Sequence, residues 1–165
     1  EWIKKEVTTP LGTSEVFVLK QQPVIATILR AGLPFHQGML NIFDKAENAF
    51  ISAYRKHHPD GSFEVQVEYM ACPDLNGKTV ILCDPMLASG NSIELVYKTM
   101  KRNGVPKNIH IASLIASTEG VEYVRKHLPN NITVWACAID EELTAQALIV
   151  PGLGDAGDLS YGNKL

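Results

Sequence analysis

Thr79-Val80-Ile81-Leu82-Cys83-Asp84-Pro85-Met86-Leu87-Ala88-Ser89-Gly90-Asn91-Ser92-Ile93 is the stretch from which the rest of the chain can be read. Apolar and β-branched residues run straight into an aspartate, a loop of mostly small residues follows, and an amphipathic segment then begins. This order predicts a strand, a tight loop and a helix start. The loop offers open backbone N–H groups, the hydroxyls of Ser89 and Ser92 and the positive end of a helix dipole, a combination that suits a phosphate. A plain helix N-terminus with no ligand is the competing reading of the same residues. Asp84 repels a phosphate, so its place at the strand end fits hydroxyl donors, such as those of a sugar. A sugar phosphate would satisfy both halves.

Outward from this stretch, strand-like runs recur at Glu15–Leu19, Val24–Leu29, Ala49–Tyr54, Glu64–Tyr69, Ile109–Ile115 and Ile132–Ala138. Helical spacing is expected over Leu33–Phe43, Ser92–Asn103 and Thr118–His127, the second of these ending on Lys101, Arg102 and Gly104. Strands alternating with helices predict an α/β domain over residues 1–165 around a mainly parallel sheet. The nearly continuous apolar runs Val80–Leu82 and Ile109–Ile115 predict strands covered on both faces. Glu6–Leu19, with Thr9-Pro10-Leu11-Gly12 at its centre, predicts a protruding hairpin. Arg55–Gly61 predicts a mobile polar turn between two antiparallel strands. Val150-Pro151-Gly152-Leu153-Gly154-Asp155-Ala156-Gly157-Asp158, with three glycines in nine residues, is expected to be an irregular loop that a ligand can approach closely.

The bulk composition narrows the function. At 165 residues the chain has room for one well-buried core. A net charge of −3 argues against broad binding to nucleic acid or to an anionic membrane. No run approaches the roughly 20 apolar residues of a membrane span. No signal peptide is visible, and the start at Glu1 suggests that residues of the native protein precede it. Cys72, Cys83 and Cys137 have no paired or metal-binding spacing, which points to a reducing, cytoplasmic setting. Cys83 and Cys137 lie in apolar runs and are expected to be buried thiols.

Ligands of open parallel sheets bind beyond the carboxyl ends of the strands. Besides Asp84–Ser92, two arginines fall at that edge. Arg30, in Ile28-Leu29-Arg30-Ala31-Gly32-Leu33, has the bidentate geometry to grip a diphosphate. Arg55 follows the run ending at Tyr54. Taken singly, each arginine reads as a surface charge. His57 and His58 are adjacent and so make a poor metal pair. His36, His110 and His127 read as structural, and Asp155 and Asp158 as turn-capping residues.

Together these segments resemble the uracil phosphoribosyltransferase family. Asp84-Pro85-Met86-Leu87-Ala88-Ser89-Gly90-Asn91-Ser92 is similar to its phosphoribosyl diphosphate loop, Ile28–Leu33 to its diphosphate-binding segment, and Pro151–Asp158 to its uracil-binding segment. The order and spacing agree over nearly the whole chain. The resemblance implies a phosphoribosyltransferase-type fold and transfer of a phosphoribosyl group to uracil, giving UMP and diphosphate. It implies Asp84 on the ribose hydroxyls. The 5′-phosphate would lie in the loop Pro85, Met86, Leu87, Ala88, Ser89, Gly90, Asn91 and Ser92, held by the backbone from Ala88 onward and the two serine hydroxyls. Arg30 and Arg55 would meet the diphosphate. Val150, Gly154 and Ala156 would meet the uracil edge, with Asp155 beside the ribosyl diphosphate through Mg²⁺. A GTP-type allosteric effector and a homodimer or larger homo-oligomer are implied as partners.

The chain departs from the family pattern at two places. The family has Thr-Gly-Gly-Ser where this chain has Ser89-Gly90-Asn91-Ser92, and an Arg where this chain has Leu159. If position 91 needs a positive φ, Asn tolerates it, but its side chain would crowd the phosphate. Two rivals follow. One is a weak or inactive homologue that binds uracil, UMP or a nucleotide for regulation. The other is an RNA-binding regulator, disfavoured by a pI of about 5.9.

Overall fold

The computed structural model describes residues 1–57 and 63–163, and of 54–57 and 63–65 the backbone alone. Strands β1 (Trp2–Thr9) and β2 (Gly12–Leu19) pair antiparallel, Thr9 facing Gly12 across the two-residue turn. The hairpin is therefore where the Pro-Leu-Gly signal placed it. It forms its own two-stranded sheet, with Trp2, Leu11 and Phe17 exposed.

The main sheet begins with β3 (Val24–Leu29), followed by α1 (Leu33–Leu40). The order continues with β4 (Glu47–His57), β5 (Phe63–Ala71), β6 (Thr79–Cys83) and β7 (Met86–Leu87). Next come α2 (Asn91–Met100), a 3₁₀ turn over Lys101–Asn103, β8 (Asn108–Ser117), α3 (Thr118–His127) and β9 (Ile132–Asp140). The two-residue strands β10 (Glu142–Leu143) and β11 (Ile149–Val150) pair with each other, and α4 (Ala156–Tyr161) closes the chain. The sheet order is β5-β4-β3-β6-β8-β7, with β9 also paired to β8. Every pairing is parallel except β4–β5. This is the expected α/β architecture, with two antiparallel strands around the expected turn, but Arg55–His57, expected in that turn, instead continue β4 and pair with Phe63–Val65. From residue 58 to residue 61 that turn lies outside the described residues.

The parallel arrangement follows from burial on both faces. Val24, Ile25, Ala26 and Thr27 are all fully buried, which only a strand covered on both sides requires. Ile93, Val96 and Met100 of α2 and Val121 and Val124 of α3 cover one face. On the other, α1 places His36 beside Phe50, ring centroids 5.1 Å apart, and His36 Nε2 lies 2.8 Å from Asn48 Oδ1. His36 is thus structural, as expected. Among the described residues no helix is long and apolar enough to cross a membrane.

Two further expectations are corrected. The tail is not irregular throughout. Val150 is a strand residue, and Ala156–Asp158 form the first turn of α4, because the Asp155 carboxylate accepts the Asp158 N–H at 2.9 Å and caps the helix. Only the residues between those two elements lack regular structure. Cys137 is exposed rather than buried. It lies on β9 at the sheet edge, where alternate residues face outward, Trp135 among them at 59% exposure. Cys83 is buried, and burial, aided by the Asp84 charge, pushes its thiol up to about 12, so it stays neutral and inert.

Candidate active site

Parallel strands bring their carboxyl ends to one edge, so the residues just after β3, β6 and β8 meet there although they are far apart in sequence. A cavity of about 660 Å³ opens at that edge. Of the expected site residues, Arg30, Met86, Ala88, Ser92, Asp155 and Ala156 line it. Three separate segments therefore converge on one space. Ser52 and Ala53 of β4 and Ala147 and Leu148 line it too, and nothing in the sequence marked them.

The phosphate-type loop has the predicted build. Gly90 is the N-cap of α2, at φ 83°, with no side-chain hydrogen bond capping the helix. The first N–H groups of α2 therefore have no side-chain acceptor at their end of the helix, the condition that favours an anion. Positive φ belongs to Gly90, whereas Asn91 is the first helical residue and is exposed. The conformational ground for doubting Asn91 is thereby removed. Asn91→Gly is expected to give no gain in affinity for phosphoribosyl diphosphate and a slightly weaker α2, by up to about 0.5 kcal/mol. Titration of both proteins checks it, and a large gain would mean that the Asn91 side chain obstructs the phosphate.

Residues that sequence reasoning missed buttress this loop. Ser117 caps α3 by accepting the Gly120 N–H at 2.8 Å, and its hydroxyl donates to the Ala88 carbonyl at 2.6 Å. A Cβ on Gly120 would lie 2.1 Å from the same carbonyl oxygen. The Tyr123 ring packs on Gly90, where a Cβ would meet it at 2.8 Å. Tyr123 is fixed in turn by donating to Glu94 Oε2 at 2.6 Å and by stacking on His127, centroids 4.0 Å apart. Hydrogen bonds from Lys98 and then Tyr123 hold the Glu94 carboxyl below the usual range. Leu87 is 1% exposed, so its side chain serves the core.

Asp84 directly follows β6. Its N–H donates to the Ala112 carbonyl at 3.1 Å, and its carboxylate accepts the Met86 N–H at 3.4 Å. Arg30 directly follows β3 and is held by α4: its Nη2 donates to Asp158 Oδ1 at 2.9 Å and to the Gly162 carbonyl at 3.3 Å. Both the Leu29–Arg30 and the Val150–Pro151 peptides are cis. Gly32, two residues on, has no room for a side chain, since a Cβ would meet Thr27 Oγ1 at 2.3 Å. In the tail, Asp140 Oδ2 accepts the Gly152 N–H at 2.9 Å and ties the segment to the end of β9. Gly154 is exposed at φ 81°, and Val150 is 37% exposed. Neither lines the cavity, and the Arg55 side chain lies outside the described residues.

A family model described as uracil phosphoribosyltransferase matches residues 1–163. The chain belongs to the uracil phosphoribosyltransferase family. It is 55% identical over 161 residues to a uracil phosphoribosyltransferase from Porphyromonas gingivalis, spanning 98% of this chain and 74% of that protein. It is 37% identical over 164 residues to another from Methanothermobacter thermautotrophicus, again over 98% of this chain and 74% of the relative. Among solved structures, the AQ2163 protein from Aquifex aeolicus matches with a TM-score of 0.88 at 30% identity, over 100% of this chain and 77% of that one. A purine phosphoribosyltransferase from Pyrococcus horikoshii Ot3 matches at TM-score 0.54 and 22% identity, over 75% of this chain and 82% of that one, and so shares the fold.

Proposed function

We propose that residues 1–165 form one catalytic unit that moves the phosphoribosyl group of phosphoribosyl diphosphate to uracil, giving UMP and diphosphate, in the cytoplasm. The observation that carries this reading is the convergence of Arg30, of Ala88 and Ser92 at the two ends of the phosphate-type loop, and of Asp155–Ala156 on one cavity. The family and the names of its members support it.

In this reading the uncapped start of α2 and the hydroxyls of Ser89 and Ser92 hold the 5′-phosphate. Arg30 and Arg55 take the diphosphate, and Asp84 accepts the ribose hydroxyls. Backbone groups of Ala156 at the cavity wall, with those of Val150 and Gly154 beyond its present lining, read the uracil edge. As uracil N1 attacks, the diphosphate departs and positive charge develops at the ribose carbon. The protein's part is positioning and electrostatics, without a nucleophilic side chain. Among the described residues no cluster of three or more His, Cys, Asp or Glu side chains would cage a metal by itself. Asp155, at the cavity wall, is the acidic group that would face Mg²⁺ carried by the diphosphate. Such an ion neutralises charge on the leaving diphosphate. A homodimer or larger homo-oligomer belongs to the same reading and is supported by the exposed apolar side chains of the β1–β2 hairpin. A GTP-type effector is carried by the family resemblance alone.

Incubation of the chain with labelled uracil, phosphoribosyl diphosphate and Mg²⁺ is expected to yield UMP, with cytosine and orotate poor substitutes. A backbone edge matched to uracil leaves buried groups unpaired against cytosine, whose donor and acceptor are exchanged. Equal turnover of cytosine would overturn the base assignment. Tight ligand binding with no turnover of any base would favour a regulatory binding protein.

A further inference from the structure

Arg30 and Asp158 are 128 residues apart in sequence and 2.9 Å apart in space. A solvated surface pair would mean little, but this pair is half-buried and anchored on both sides. Asp158 sits in the first turn of α4, its N–H bound by Asp155 Oδ1 at 2.9 Å and its carbonyl accepting the Gly162 N–H at 2.8 Å. Gly162 then offers its own carbonyl to the same Arg30 Nη2. The helix is drawn close to the arginine's loop at Gly157, where a Cβ would come to 3.8 Å from the Ala31 methyl carbon. Both contacts fall on Nη2, and the buried Nε has no hydrogen-bond partner among the described residues. Arg30 lines the cavity, and Asp158 does not. The carboxylate therefore meets the guanidinium from outside the cavity lining.

We propose that Asp158 is a positioning residue that presets Arg30, from outside the cavity lining, for the diphosphate of the substrate. A long arginine side chain loses rotamer freedom when it binds an anion, and one already held in place loses less. An acidic residue beside a diphosphate subsite would ordinarily weaken binding by repulsion. Here the geometry sets the opposite sign, because the charge acts on Arg30 from outside the cavity. The inference rests on the reading of Arg30 as a diphosphate ligand.

The test compares steady-state kinetics of the unmodified chain with Asp158→Asn, which keeps an acceptor oxygen but loses the charge, and Asp158→Ala, which loses both. KM for phosphoribosyl diphosphate is expected to rise in the order Asp, Asn, Ala, by roughly tenfold for Ala. KM for uracil and the thermal midpoint should stay near their original values, which also controls for folding. A KM for phosphoribosyl diphosphate that is unchanged or lower in both variants overturns the proposal, the lower value identifying Asp158 as a repulsive neighbour. Parallel rises in both KM values with a lost midpoint would show that Asp158 only holds α4 in place, and would also overturn it. If the unmodified chain makes no UMP, the transferase reading falls by itself. Direct titration with phosphoribosyl diphosphate and Mg²⁺ then decides the role of Asp158 by the same order of affinities, and equal affinities, or no binding by any of the three proteins, overturn it.

Discussion

An Asp84→Asn variant is expected to lose at least tenfold in kcat/KM while keeping its thermal midpoint. Asn is nearly isosteric and still offers Oδ1 to the Met86 N–H, and the Asp84 N–H bond to Ala112 is a backbone contact that the substitution leaves alone. The local turn after β6 should therefore survive. What is lost is the negative charge at the strand end. In the proposed reaction the ribose hydroxyls bind that carboxylate more tightly as positive charge grows at the reacting carbon, so the interaction belongs to the transition state. Hydrogen bonds to a charged group contribute about 1.5–3 kcal/mol, and each tenfold in rate corresponds to about 1.4 kcal/mol. The loss should then lie between roughly ten- and two-hundredfold. Steady-state rates with both substrates, read beside a melting curve, check it. Kinetics near those of the unmodified chain would remove Asp84 from the site.

The same strand end shows what the sequence made legible. β3, β6 and α3 occupy the residues expected of them, Val24–Leu29, Thr79–Cys83 and Thr118–His127. Their signals are local: apolar runs bounded by turn residues, or valines at helical spacing. The start of α2 at the phosphate-type loop is one residue earlier than expected, and the last three residues of that helix tighten into a 3₁₀ turn. Elements of two or six residues escaped. β7, β10 and β11 are too short to show alternation, and α4 is too short to show a period. Its sequence looked like a loop because Gly157 lowers helix propensity; the Asp155 cap and the burial of Ala156 and Gly157 outweigh that. Cys137 was misjudged for a related reason. An apolar run says that a strand exists, but its place at the sheet edge depends on strand order, which no single segment encodes.

The buttresses of the site were illegible because they are long-range. Ser117 caps α3 through a contact three residues away, but its bond to Ala88 joins residues 29 apart. The Arg30–Asp158 pair joins residues on either side of almost the whole fold. Motifs named the groups that would face a ligand, and the topology supplied the groups that hold them. The doubt raised by Asn91 was a one-residue matter of the same kind. The left-handed residue is Gly90, and only the helix register shows which of the two neighbours needs it.

Gly120→Ala is expected to damage both stability and phosphoribosyl diphosphate binding, against the direction that helix propensity gives. Gly120 lies within the first turn of α3, where Ala ordinarily gains up to about 1 kcal/mol over Gly. The new methyl carbon would fall 2.1 Å from the Ala88 carbonyl oxygen and 3.0 Å from that of Leu87. Both are backbone atoms and cannot rotate away. Either α3 or the loop must move, and the bond from the Ser117 hydroxyl to the Ala88 carbonyl would be strained with it. Overpacking of this kind costs typically 1–3 kcal/mol, and a clash with fixed backbone belongs at the upper end, so a net loss of about 2 kcal/mol remains after the propensity gain. For a chain of this size that lowers the melting midpoint by roughly 4–8 °C. Gly38→Ala in α1 is the control, since nothing lies within 4 Å of its added carbon, and it should be neutral or slightly stabilising. The kinetic signature separates a general loss of stability from a displaced loop. Measured well below the midpoint, KM for phosphoribosyl diphosphate should rise several-fold in Gly120→Ala, because the loop backbone at Ala88 leads directly into the α2 N-terminus, while KM for uracil changes little. A Gly120→Ala protein as stable and as active as the Gly38→Ala control would mean that the loop moves independently of α3, and that Ser117 and Gly120 have no part in shaping the phosphate site.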